Sequence, residues 1–164
     1  MVRSVDIDSI REELLSHLPL TRRWRVRDTT LDWDFSLLQK HLLPISPSNL
    51  NQDHIPDEWR QVLLFGICNH STGGGAVPFY GISATTGEIF ALDLERDYGS
   101  ELNFINSSAQ NFINTYLVFD QSLHDFPQST GGLTDRARAT DPDCFDRSEW
   151  KSLAEYAEYP TDRA

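Results

Sequence analysis

Cys68 and His70 stand two residues apart as C-x-H, and His54 lies upstream. Thiolate and imidazole are the ligands zinc prefers. A zinc site, however, takes three or four such groups, commonly as paired C-x-x-C or H-x₃-H spacings. Cys144 is distant and no second pair exists. The expectation is therefore no metal site, with Cys68 a small core residue and His70 a polar loop residue. His70-Ser71-Thr72-Gly73-Gly74-Gly75 invites comparison with a phosphate-binding loop. Such a loop needs Lys-Ser/Thr after its glycines and a helix to present its amides. Here Ala76-Val77-Pro78 follows, which reads as extended chain, and the G-x-S-x-G of a nucleophile elbow is absent. The three glycines are read as a sharp turn.

Asp93, Glu95, Asp97 and Glu101 form an acidic string with Tyr98 among them. Two carboxylates can divide general acid and base roles only where a pocket separates their pKa values, and no such pocket is legible here. A solvated acidic face is the plain reading. A recognition patch, with Tyr98 as its aromatic anchor, is the sharper one. No catalytic, metal or cofactor site is expected.

These residues must be positioned by the stretch from 61 to 119. Residues 62–68 are a continuous apolar run rich in branched side chains, which predicts a buried strand. Residues 76–82 and 88–94 predict two further strands joined through Ala84-Thr85-Thr86-Gly87. In the second, Ile89, Ala91 and Asp93 alternate with Phe90, Leu92 and Leu94. Both faces carry apolar residues, so a central strand covered on two sides is expected. Ser107-Ser108-Ala109-Gln110 fits a capping box, with Ser107 accepting from the Gln110 amide. Ala109, Phe112, Ile113, Tyr116 and Leu117 then fall on one helical face.

Outside that stretch the signals are weaker. Residues 6–18 predict a helix lined by Ile7, Ile10, Leu14 and Leu18 and ended by Pro19. The run from Arg22 to Arg27 reads as an edge strand with Trp24 and Val26 inward and Arg23, Arg25 and Arg27 outward, guarded by charge or paired with the acidic half. Leu31, Phe35, Leu38 and Leu42 recur at helical spacing up to Pro44. Residues 45–56 are a loop, and Trp59 is a packing anchor ahead of the central strand. Residues 120–141 read as a long surface loop. Residues 143–159 read as one closing helix, with Phe145, Trp150, Leu153, Ala154 and Ala157 inward.

The chain of 164 residues is 39% hydrophobic and 11% aromatic, which suits a single globular α+β domain with a central, mostly antiparallel sheet and flanking helices. No run approaches 18 apolar residues, so no membrane span or membrane partner is expected. A charged amino-terminal segment without an apolar core favours the cytoplasm, and two cysteines make no disulfide framework. The net charge of −11 is lopsided. Residues 1–80 hold 8 Lys/Arg against 10 Asp/Glu, and residues 81–164 hold 6 against 15. That acidity argues against nucleic acid as a partner, since phosphates need cations, and agrees with a basic protein. It also serves solubility alone in many proteins.

The order of these features resembles the SUKH superfamily, and within it the fourth group of bacterial immunity proteins. The matching pieces are the apolar strand ending near Gly66, the Gly73–Gly75 turn and Phe79-Tyr80. They continue with Thr86-Gly87-Glu88-Ile89-Phe90, Asp93, and Phe104-Ile105-Asn106-Ser107-Ser108 leading into Phe112. The resemblance covers residues 63–119, and more loosely the closing helix. It divides the single domain into a weakly matched helical part (1–56), a core (57–119) and a loop with closing helix (120–164). It implies a binding module: an immunity protein that blocks a cognate toxin, a nuclease or deaminase, by occluding its active site. Asp93, Glu95, Asp97, Tyr98 and Glu101 would form the contact. A regulatory scaffold for a non-toxin protein, and an enzyme with a pocket near His70 and Asp93, are the other classes the residues leave open.

Overall fold

The computed structural model describes residues 5–27, 29–45, 57–70, 78–95, 99–124 and 130–158; at 57–58, 70, 93–95 and 99–101 the backbone alone is described. Seven strands form one antiparallel sheet: β1 (Thr21–Val26), β2 (Thr29–Asp34), β3 (Leu43–Pro44), β4 (Val62–His70), β5 (Phe79–Ser83), β6 (Ile89–Glu95) and β7 (Gly99–Asn106). Their order across the sheet is β1-β2-β4-β5-β6-β7, with β3 paired to β4. Five helices accompany them among the described residues: α1 (Ile7–His17), α2 (Ala109–Leu123), α3 (Leu133–Thr140), α4 (Pro142–Phe145) and α5 (Glu149–Glu158). The α+β class and central sheet read from the sequence are the ones observed. Among the described residues no helix is long and apolar enough to cross a membrane.

The strand expectations at the centre hold for a physical reason. On β6, Ile89 and Ala91 join the helix-covered core, while Leu92 and Phe90 belong to a second cluster on the opposite face with Ile45, Val62, Leu64 and Trp59. Alternation at period two delivers apolar residues to both sides, so the strand is covered twice. The β5–β6 turn is set by Ser83, whose Oγ accepts from the Thr85 and Thr86 amides at 3.2 and 3.1 Å. Gly87 closes it at φ +80°, where a side chain would be strained. The Gly73–Gly75 turn lies outside the described residues.

The amino-terminal part is less helical than expected. α1 is capped by Asp6, whose Oδ1 accepts from the Ser9 amide at 3.1 Å, and buries Leu14. Residues 31–42, however, are not a helix. They hold most of β2 and a short 3₁₀ turn at Ser36–Gln39, and β3 follows directly. Leu31, Trp33 and Phe35 are all buried, an alternation of period two that a helix would scatter around its axis. Leu31 and Phe35, four apart, satisfy either period, and Trp33 between them decides for the strand; Leu38 is buried from the 3₁₀ turn instead. β1 is the edge strand foreseen, with Trp24 and Val26 buried and Arg23, Arg25 and Arg27 exposed.

The carboxy-terminal part is more helical than expected. α2 continues to Leu123, and α3 occupies much of what reads as loop. α3 is hidden in the sequence because LTDRARAT shows only Leu133, Thr134 and Ala137 to the core. The closing helix is broken into α4 and α5, where the Ser148 hydroxyl accepts from the Trp150 amide at 3.2 Å and restarts the chain. Against the sheet, α2 and α5 bring Phe112, Tyr116, Phe119 and Trp150 onto Trp24, Trp33 and Phe35.

Candidate partner-binding surface

β6 and β7 form a hairpin whose far end gathers acidic residues. The register places Asp93 directly opposite Glu101, and Glu95 opposite Gly99. Three of the five residues singled out in the sequence, Asp93, Glu95 and Glu101, are thus brought together by strand pairing. Asp97 and Tyr98 lie outside the described residues. Like charges directly opposite on antiparallel strands destabilise the pair.

The other end of β7 leads into a buried polar corner that sequence reasoning missed. Asp141, 5% exposed, accepts at Oδ2 from Asn106 Nδ2 (3.1 Å) and the Ser107 amide (2.9 Å), and at both oxygens from the Ser107 hydroxyl. Asn106 Oδ1 accepts from the Trp150 indole at 2.7 Å, and its amide also reaches Thr115 Oγ1. Thr115 and Thr140 share a hydroxyl bond of 2.6 Å. The Asn-Ser-Ser segment is therefore a corner holding β7, α2, α4 and α5 together. Ser108, not Ser107, caps α2, accepting from the Asn111 amide at 3.1 Å, while Ser107 accepts from Asn111 Nδ2. The predicted cap is shifted by one residue because Ser107 is taken by Asp141. A buried, preorganised polar set is also what an active site looks like. Here the donors and acceptors are consumed by one another, which makes the corner rigid rather than reactive.

On β1 the arginines are largely engaged. Arg23 grips Asp32 through Nε at 2.6 Å and Nη2 at 3.2 Å. Arg22 donates to His124 Nε2 at 2.7 Å and faces Asp120 at 3.4 Å, while the Trp24 indole donates to Asp120 at 2.7 Å. Pairing with the acidic half is thus realised through Asp120. Residues of β1, β2 and β4 and His124 line an open polar pocket of about 610 Å³ on this side. A second pocket of about 470 Å³, with aromatic walls, lies between the sheet and α5.

Cys68 is 2% exposed beside Trp33, its register partner, and burial pushes its thiol pKa well above the usual range. It is a neutral core group. His70 pairs with Leu31 along the backbone, on a strand separated from Asp93 by β5. His54 lies outside the described residues. Among the described residues there is no group of three or more His, Cys, Asp or Glu placed to hold a metal ion.

In comparisons with protein-family models, curated proteins and solved structures, nothing matches the chain.

Proposed function

We propose that this protein is a binding module of the immunity type: it associates with a basic cognate toxin and covers the toxin's active site with the acidic end of the β6–β7 hairpin. The observation that carries this reading is the placement of Asp93 opposite Glu101 at the end of a hairpin in a chain of net charge −11. Repulsion that folding does not need is relieved when a cationic surface docks, and a nuclease or deaminase groove that receives nucleic acid is such a surface. The resemblance of residues 63–119 to the immunity group gives the partner its class. Glu95, Asp97 and Tyr98 complete the contact in this reading, Tyr98 as its aromatic anchor.

The test is co-expression with the product of the adjacent gene and purification of the complex. A one-to-one complex that loses toxin activity supports the reading, and Glu95→Lys with Asp97→Lys should then weaken it at low salt by tenfold or more. A complex equally tight after both reversals would remove the acidic face, and an adjacent product that neither binds nor kills would remove the immunity role.

A further inference from the structure

The two edges of the sheet are finished differently. β1 is closed in ways that keep an edge from pairing: Arg23 and Arg25 are exposed along it, and an antiparallel bridge from His124 seats on it at Trp24. β7, at the other edge, reads Gly-Ser-Glu-Leu-Asn-Phe-Ile-Asn and contains no lysine, arginine or proline. Among the described residues only β6 pairs with it. Its Asn106 end is tied down by the Asp141 corner, the register shifts opposite Ile89 and Phe90, and the Arg147 guanidinium lies 4.8 Å over the Phe104 ring. Residues 99–102 lie beyond those ties.

Residues along β7 alternate in what they ask of a neighbouring strand. Leu102 packs on the second apolar cluster and Phe104 on the Phe90 ring, and both are only partly buried. Leu92, the register partner of Leu102 on the covered side, is fully buried. Position 101 has the other parity, and the register sets it opposite Asp93. Side chains that lie side by side on adjacent strands interact directly. An added strand would therefore set apolar residues against Leu102 and Phe104 and cations beside Glu101. Strand addition to a sheet edge is a recurrent mode of recognition, in which backbone bonds give affinity and alternate side chains give specificity.

A second copy of this chain does not supply such a strand. β1 has the alternation, but its Trp24 and Val26 are buried in the core and its Arg23 is held by Asp32. Two β7 edges laid together would bring like charges together in a chain of net charge −11.

We propose that β7 is the edge at which this protein accepts an extended strand of alternating basic and apolar residues from its partner. The inference rests on the binding-module reading and adds to it a backbone mode of contact.

The probe is the blocked heptapeptide Lys-Val-Lys-Val-Lys-Val-Lys, titrated into the whole chain at low salt. Lys-Lys-Lys-Lys-Val-Val-Val, equal in charge and composition, is its control. Saturable one-to-one binding is expected, at least tenfold tighter for the alternating peptide, with amide hydrogen exchange slowed within residues 99–102. Successive amides of a strand point to opposite sides, so N-methylation of the peptide tests the backbone directly. Methylating the valine amides and methylating the lysine amides should differ, one set abolishing binding and the other leaving it. No saturable binding, equal binding by the two sequences, or an equal response to the two methylation patterns would overturn the edge, while leaving the acidic hairpin end as a contact. Self-association of the chain alone in sedimentation would assign the edge to a second copy and overturn the partner class. An adjacent gene product that does not bind, with the peptide still seated on β7, would remove the immunity role and keep the edge.

Discussion

Asp141 concentrates more of the fold's polar bonding than any neighbour in its corner, and its removal is the sharpest single-residue test of that corner. Asp141→Ala leaves the Ser107 amide and hydroxyl and one Asn106 donor without their acceptor. Hydrogen bonds to a charged group are worth about 1.5–3 kcal/mol each in net terms and are not additive, so a loss of about 3 kcal/mol is expected in urea unfolding. Glu158 offers a pH readout at the same scale. Its carboxylate receives the Gly132 and Thr134 amides at 2.8 Å each, capping α3 from 24 residues away. Hydrogen bonding from Thr134 holds its pKa below the usual carboxylate value against a smaller opposing effect of burial, with the Gly132 amide and the Arg136 charge adding lesser lowering effects. A lowered folded-state pKa means that the contribution is whole above the unfolded value, about pH 4.3, and disappears as pH falls through the folded one. The stability difference between the wild type and Glu158→Gln should therefore be constant above about pH 5.5 and shrink steadily below pH 4. A difference independent of pH would show that the cap acts through shape alone.

The elements divide by whether their signals are local. The α1 cap, the Gly87 turn, the two-faced β6 and the inward face of α2 are legible because each is decided within a few residues. The helix read over residues 31–42 fails because Leu31 and Phe35, four apart, fit a strand as well as a helix, and the chain breaks into a 3₁₀ turn before Leu38 and Leu42 can continue the pattern. Burial of Trp33 against Tyr80 and Tyr116 is a tertiary fact. The α2 cap moves from Ser107 to Ser108 for a similar reason: the residue that claims Ser107 lies 34 positions away. Of the candidate site, the acidic string was legible, but its strand register was not, and neither was the polar corner or the aromatic pocket, which join residues far apart in the chain. Gly66 shows how tightly one such junction is built. Opposite it the β4–β5 register shifts between Leu64 and Gly66, and a Cβ at Gly66 would stand 2.6 Å from Phe35 Cδ1. Phe35 is buried against Trp33, Phe65 and Tyr116 and has little room to retreat. Gly66→Ala should cost about 1–3 kcal/mol, read as a lowered melting temperature. A neutral result would mean that the ring yields freely.

For the molecule as a whole, the question is why a sheet whose central strands carry apolar residues on both faces ends in a hairpin whose register sets one acidic residue opposite another. Folding alone gives no reason to keep Asp93 opposite Glu101, since converting one of them to a cation turns a repulsive cross-strand pair into an attractive one. Glu101→Lys should accordingly raise stability by about 0.5 kcal/mol, measured by thermal unfolding at low ionic strength, and the gain should fade as salt shortens the reach of the charges. Binding should move the other way. A complex formed with a basic partner loses attraction when Glu101 becomes Lys, mainly in its association rate, and that loss too should diminish with salt. Opposite signs for stability and affinity in one substitution separate a surface kept for a partner from one kept for solubility. If Glu101→Lys stabilised the fold and left the complex as tight and as fast to form, the acidic hairpin would be a solubility device, and the contact would have to lie on another face of the sheet.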